Sequence, residues 1–203
     1  MKITIIDYGM GNIKSISSAL RYLGIQDIII SSKYEDIKSA DKLILPGVGS
    51  FARAMTNIKK LNIDTALGEI VIKDKKPILG ICLGMQLLCK SSEEDSGAEG
   101  LNYIDAVCTK FNTTDLKVPH VGFNQITINE KSNLLKNIKD VSDFYFTHSY
   151  KVTSNSDITQ SYCTYGEDFI AAYENNNILG TQFHPELSQT NGLTLLKNFI
   201  EKF

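Results

Sequence analysis

Cys82 stands in Gly80-Ile81-Cys82-Leu83-Gly84-Met85-Gln86, between glycines two residues before and two after. The apolar run Pro77–Ile81 reads as a short buried strand, and Met85–Cys89 has helical spacing. A cysteine at a strand-to-helix corner of this kind has the pattern of a nucleophile elbow. The corner is tight enough that a Cβ at the flanking positions would meet neighbouring backbone. It also sets the sulfur at the positive end of a helix, where backbone N–H groups stabilise negative charge. A buried structural cysteine fits the same residues, so the rest of the chain has to decide. A nucleophilic cysteine needs a base, and the chain has 3 histidines. His184 lies in Gln182-Phe183-His184-Pro185-Glu186, at the end of a strand-like run. In extended chain His184 and Glu186 face one side, with Pro185 stiffening the pair. Glu186 would then accept the far imidazole N–H and orient the ring; the competing reading is a surface turn.

The chemistry also calls for donors to a developing oxyanion. Leu83 N–H, at the helix start, is one. Val48, in Pro46-Gly47-Val48-Gly49 after the strand Lys42–Leu45, is a second. Glycine on both sides predicts a peptide free to turn, although an ordinary strand-to-helix turn would use the same residues. Gly9-Met10-Gly11 imitates a dinucleotide fingerprint, but Lys14 stands where the third glycine belongs.

These residues need a scaffold. Strand-like and helical segments alternate through the first half: Ile3–Ile6, Ile13–Leu23, Asp27–Ser31, Tyr34–Ala40, Lys42–Leu45, Phe51–Asn57 and Ile63–Lys73. That rhythm predicts an α/β fold, a mostly parallel central sheet with helices on both faces. Cys82 then falls at a strand's carboxyl end, where such sheets collect ligands. Ser91–Gly100 reads as a polar surface loop. The second half is strand-rich: Ala106–Lys110, Gln125–Ile128, Phe144–Thr147, Lys151–Thr153, Phe169–Tyr173 and Leu179–Phe183. Asn175-Asn176-Asn177 marks a hairpin turn, and Gly192–Phe203 a closing amphipathic helix. Additional antiparallel strands are thus expected to cover or extend the parallel sheet.

At 203 residues, with 42% hydrophobic and 22% charged, the chain is expected to form a single domain over 1–203. A net charge of −2 gives no footprint for nucleic acid or an anionic membrane. No apolar run is long enough to span a bilayer and no signal-peptide pattern opens the chain, which predicts a soluble, cytoplasmic protein. The 4 cysteines show no C-x-x-C spacing, which argues against zinc, and no metal or cofactor is expected.

Gly80–Gln86 together with His184-Pro185-Glu186 resembles the class I glutamine amidotransferases. Ile5–Asn12, Pro46–Phe51, Pro119-His120-Val121-Gly122-Phe123-Asn124 and Phe144–Tyr150 narrow the resemblance to one subfamily. It is the glutaminase subunit of imidazole glycerol phosphate synthase, from histidine biosynthesis. The resemblance runs from the first residues to the last helix. It implies that Cys82 attacks the carboxamide of glutamine, His184 moves protons and Glu186 orients His184. Gly49, Gln86, His148, Ser149 and Tyr150 would hold the substrate, with Val48 and Leu83 forming the oxyanion hole. It further implies a heterodimer with a (β/α)8-barrel cyclase through which ammonia passes, with Asn12, His120, Phe123 and Leu187 at the interface. Two positions depart from the subfamily's usual residues: Leu187 where Lys is common, and Phe123 where Trp is common. Both fall on the expected partner face. A paralogous glutaminase feeding amidino-sugar synthesis is therefore an alternative. The alternative of another class is a catalytically silent regulatory subunit.

Overall fold

The computed structural model describes residues 1–113 and 116–203. Its first half alternates as the sequence predicts: β1 (Lys2–Ile6), α1 (Ile13–Tyr22), β2 (Asp27–Ser31), α2 (Tyr34–Ser39), β3 (Lys42–Leu45) and α3 (Phe51–Lys60). The segment expected as one helix over Ile63–Lys73 divides into α4 (Ile63–Leu67) and a π-helical continuation, Gly68–Lys73. Then come β4 (Ile78–Ile81), α5 (Leu83–Leu87) and β5 (Cys89–Ser92), so the helix after the elbow starts and stops two residues earlier than its apolar spacing suggests. The remaining elements are β6 (Ala98–Glu99), β7 (Ile104–Lys110), β8 (His120–Thr127), β9 (Ser142–His148), β10 (Tyr150–Thr153), β11 (Thr159–Tyr165), β12 (Glu167–Asn175), β13 (Ile178–Thr181) and α6 (Gln189–Lys202).

Strands β2-β1-β3-β4-β13 form a continuous parallel centre. The other strands extend it edgewise: β12 pairs antiparallel with β13, and the order continues β10-β7-β5-β6, while β11, β8 and β9 branch from β12. The side-chain alternation of each central strand divides the core in two. Leu43, Leu45 and Ile78 pack on the face covered by α3, α4 and α5, whereas Ile44, Leu79 and Ile81 pack against Ile16 and Leu20 of α1 and Leu196 and Phe199 of α6. Among the described residues no helix is long and apolar enough to cross a membrane.

One expectation needs correction, and one strand, β11, is absent from the sequence reading. Ser91–Gly100 is not a plain loop: Ser91 and Ser92 belong to β5, which pairs with β7, and Ser91 and Ser92 also pair with Glu99 and Ala98 across a short 3-10 turn. Its polar side chains serve as acceptors toward α3 rather than facing only water. The strand β11, which pairs on both edges with β12 and β8, lacks a period-two apolar signal because Gln160 and Ser161 are among its buried residues while the aromatic Tyr162 is exposed. The hairpin at Asn175–Asn177 forms as expected, with Asn175 paired to Ile178 and Asn176 in the left-handed region.

The β4–α5 corner rests against β3. A Cβ on Gly84 would fall far inside van der Waals distance of the Leu45 carbonyl oxygen, part of a backbone that cannot yield. Gly84→Ala is therefore expected to lower stability by about 3 kcal/mol, the upper end of what overpacking typically costs, read as a fall in the urea midpoint.

Candidate active site

Cys82 sits on the corner with φ 54° and ψ −111°, a strained conformation for a residue with a side chain, and is 6% exposed. Its N–H bonds the Thr181 carbonyl at 2.7 Å, which ties the corner to β13. The sulfur lies 3.7 Å from the Thr147 carbonyl, with the Gln182 side-chain amide 3.9 Å away.

His184 follows β13, so the parallel pairing of β13 with β4 brings base and nucleophile to the same sheet end. The His184 N–H is held by the Tyr145 carbonyl at 2.9 Å, and its carbonyl accepts from Ser188 Oγ at 2.6 Å. Nδ1 lies 2.9 Å from Glu186 Oε1, and both side chains are buried. The pairing is the expected one but arises differently: Pro185–Leu187 forms a 3-10 turn, and this turn brings Glu186 back to the ring. A carboxylate on Nδ1 requires a hydrogen there, which leaves Nε2 as the basic nitrogen. Burial alone would lower the pKa of His184, but the interactions with Cys82 and Glu186 outweigh it and raise the pKa to about 10. Nε2 makes no hydrogen bond of ordinary geometry among the described residues, although Cys82 lies near enough to help raise the pKa of the ring. The arrangement is a buried imidazole, paired with a carboxylate, near a cysteine at an elbow.

A cavity of about 530 Å³ opens over Cys82. Gly49, Gln86, His148, Ser149 and Tyr150 line it, together with Val48 and Leu83. A larger hollow of about 610 Å³ lies against β5 and β7, and contains neither the elbow cysteine nor a histidine. Among the described residues no group of three His, Cys, Asp or Glu side chains could hold a metal ion.

Residues 4–203 match the family described as glutamine amidotransferase class-I. The chain belongs to the class I glutamine amidotransferases. It is 44% identical over 199 residues to a Campylobacter jejuni (strain RM1221) protein named imidazole glycerol phosphate synthase subunit HisH 1, covering 98% of each chain. It is 45% identical over 202 residues to the subunit HisH of Methanosarcina acetivorans, again covering 98% of each. Among solved structures, a putative GMP synthase protein from Thermoplasma acidophilum aligns with TM-score 0.74 at 21% identity, covering 98% of this chain and 92% of that one. The glutaminase domain of Trypanosoma brucei CTPS, solved with bound acivicin, aligns with TM-score 0.69 at 16% identity, covering 100% and 95%. Those two likenesses establish a shared fold.

In this amidotransferase the segment Pro46–Ser50 differs from expectation in one respect. Gly49 adopts φ +95°, but Gly47 does not enter that region. A Cβ on Gly47 would lie 2.6 Å from the Tyr8 hydroxyl and 2.8 Å from Gly84 N, so close packing demands glycine there. The freedom of the Val48 peptide therefore rests on Gly49 alone. Tyr8 Oη donates to the Pro46 carbonyl at 2.6 Å, and Asp95 accepts from Ser50 Oγ at 2.6 Å, so both ends of the segment are pinned.

Glu94 is a further residue of the site, and its only signal in the sequence is membership of an acidic, turn-rich run. It lines the cavity, and Oε2 accepts from the Phe51 N–H at 2.9 Å. Burial raises the pKa of its carboxyl, an effect the Phe51 hydrogen bond partly offsets. Gln182 is likewise legible only in three dimensions, where it bridges Gln86 and Cys82.

The four residues expected at a partner interface divide. Phe123 is 51% exposed and Leu187 39% exposed, as surface contacts would require. Asn12 is turned inward instead, its side-chain amide donating to Glu186 Oε1 at 3.1 Å. His120 is buried at 3% exposure, stacked between Phe146 and Tyr165, so it presents no surface to a partner. Its Nδ1 meets His148 Nε2 at 3.1 Å.

Burial lowers the pKa of His120 to about 4 and that of His148 to about 3. An unfolded histidine titrates near 6.5, so below that pH the unfolded chain binds the extra protons. The stability these rings contribute is complete above about pH 6.5 and is lost as pH falls toward 4, by about 1.4 kcal/mol per pH unit for each ring. Urea midpoints measured from pH 7 to pH 4.5 should fall, and His120→Phe should show the shallower decline.

Proposed function

We propose that the chain is the glutaminase subunit of imidazole glycerol phosphate synthase, acting in the cytoplasm as a single domain in complex with a (β/α)8-barrel cyclase. The observation that carries this reading is the gathering of Cys82, His184 and Glu186 beside a cavity lined by Gln86 and Glu94. Near-complete alignment with relatives bearing that name supports the pathway. His184 Nε2 takes the thiol proton of Cys82, and the sulfur attacks the γ-carbonyl carbon of glutamine. The carbonyl oxygen gains charge and is met by the N–H groups of Leu83 and Val48. His184 returns its proton to the leaving nitrogen, ammonia departs, and a γ-glutamyl thioester remains on Cys82. Water, deprotonated by His184, hydrolyses the thioester to glutamate and frees the thiol. Glu186 stabilises the imidazolium in both steps, and Asn12 holds Glu186. Ammonia passes through the partner barrel to a phosphoribulosyl-formimino intermediate, giving imidazole glycerol phosphate and aminoimidazole carboxamide ribotide.

Glu94 is the carboxylate among the cavity-lining side chains, which suits it to the α-ammonium of glutamine. Glu94→Gln should raise KM for glutamine by about 10- to 100-fold, as expected when a hydrogen bond to a charged group is weakened, with a far smaller change in kcat. Steady-state kinetics of the complex separates the two.

A second reading, a paralogous glutaminase supplying ammonia for amidino-sugar synthesis, draws support from the exposed Phe123 and Leu187 on the expected docking face. Glutaminase activity is therefore to be measured for the chain alone and with a histidine-pathway cyclase plus its nucleotide ligand. Strong stimulation on mixing is the expected result. Active glutaminase that neither docks on that cyclase nor is stimulated by it would move the acceptor to the second pathway.

A further inference from the structure

The buried histidine pair belongs to a chain of hydrogen bonds whose polarity is fixed from one end. The Tyr150 carbonyl can only accept, so His148 Nδ1, 2.7 Å away, must carry a hydrogen. In the neutral ring His148 Nε2 is then a lone pair. It faces His120 Nδ1 at 3.1 Å, which must therefore be an N–H. His120 Nε2 is in turn left as an acceptor, and the Asn124 side-chain amide stands 3.4 Å from it. At the other end, Gln86 Nε2 gives its two hydrogens to the Tyr150 carbonyl at 3.0 Å and to Gln182 Oε1 at 2.9 Å. Oε1 is thereby the atom Gln86 has to offer the cavity. We propose that His120 and Asn124 are positioning residues for the substrate site: the chain Asn124–His120–His148 fixes the Tyr150 carbonyl, and through it the orientation of the Gln86 amide that meets glutamine.

This inference rests on the reading of the cavity as a glutamine site. Stacking holds His120 in place, its ring 4.8 Å from Phe146 and 4.0 Å from Tyr165. His148 is wedged against Phe111 and Phe169. Tilting either ring would break this packing, and a half-turn would set carbon in place of the nitrogens that meet the Tyr150 carbonyl and the neighbouring ring, so the bonding pattern has one arrangement. The chain of bonds also begins beneath the exposed side of β8, since Val121 and Phe123 project outward from the strand that carries His120 and Asn124.

The test uses the full chain in a Cys82→Ala background, which binds substrate without consuming it. Glutamine affinity is measured by calorimetry for that protein and for versions also carrying His120→Phe or His120→Asn. Phenylalanine keeps the stack and removes the donor, whereas the asparagine amide can replace the Nδ1–H. Leaving the buried His148 Nε2 unpaired should weaken glutamine binding about tenfold or more with Phe, while Asn should stay within about twofold of the background. Nitrogen-15 spectra supply a readout that packing alone would not move: both rings should be Nδ1–H tautomers, and His148 should lose that pure state in His120→Phe. Undiminished binding in His120→Phe, or an Nε2–H tautomer on either ring of the background protein, would overturn the proposal. If the background protein binds no glutamine, the glutaminase reading falls, and the tautomers decide the polarity of the chain of bonds independently.

Discussion

Cys82→Ala should remove glutamine-dependent synthesis by the complex, on the order of 10⁴- to 10⁶-fold, while leaving ammonia-dependent synthesis intact. The size follows from the chemistry, because among the described residues no other thiol lines the cavity. The remaining cysteines are Cys89 and Cys108, bonded by their sulfurs to the Met85 and Gln86 carbonyls, and Cys163. Alanine meets the same backbone demand at φ 54° as cysteine does and opens no large void. The elbow, the cavity and the docking face should therefore survive. Supplying ammonia bypasses the only step that needs sulfur. Loss of both activities would make Cys82 a structural residue and defeat the assignment.

His184→Asn should lower glutamine-dependent turnover by about 10⁴-fold with little change in glutamine affinity. Asparagine is the informative choice. Its amide can occupy the place of Nδ1 and keep Glu186 Oε1 hydrogen-bonded, so the buried carboxylate is not stranded. What it lacks is Nε2, the atom that must accept the thiol proton and deliver it to ammonia. A raised pKa lets His184 hold the transferred proton until the leaving nitrogen takes it, and no other imidazole of the site replaces it: the cavity-lining His148 has its Nδ1 engaged by Tyr150 and its Nε2 by His120. Rapid-quench measurement of thioester formation separates this loss from any effect on hydrolysis. An Asn variant that acylates at the wild-type rate would exclude His184 as the base.

The elbow, the His184–Glu186 pair and the parallel centre are legible in the sequence because each is dictated over a short span. Glycine at 80 and 84, an apolar run of β4 and the His-Pro-Glu tripeptide are local features. What the sequence conceals is what depends on partners distant along the chain. Glu94 becomes part of the cavity only because β5 pairs with β7 and turns its 3-10 segment onto α3. Asn12 has the look of a loop residue until the Pro185–Leu187 turn brings Glu186 against it. His120 shares a motif with the exposed Phe123, yet strand alternation sends the two to opposite sides of β8. Gly47 and Gly49 look equivalent in Pro46-Gly47-Val48-Gly49. One answers to the Tyr8 hydroxyl and the elbow, the other to a positive φ.

The most direct test of the central claim is acid-quench mass spectrometry of the complex during glutamine turnover. A γ-glutamyl mass increment confined to the Cys82 peptide, and absent from Cys82→Ala, is the predicted result. Turnover with no increment on that peptide, or an increment on the Cys89, Cys108 or Cys163 peptide, would contradict it.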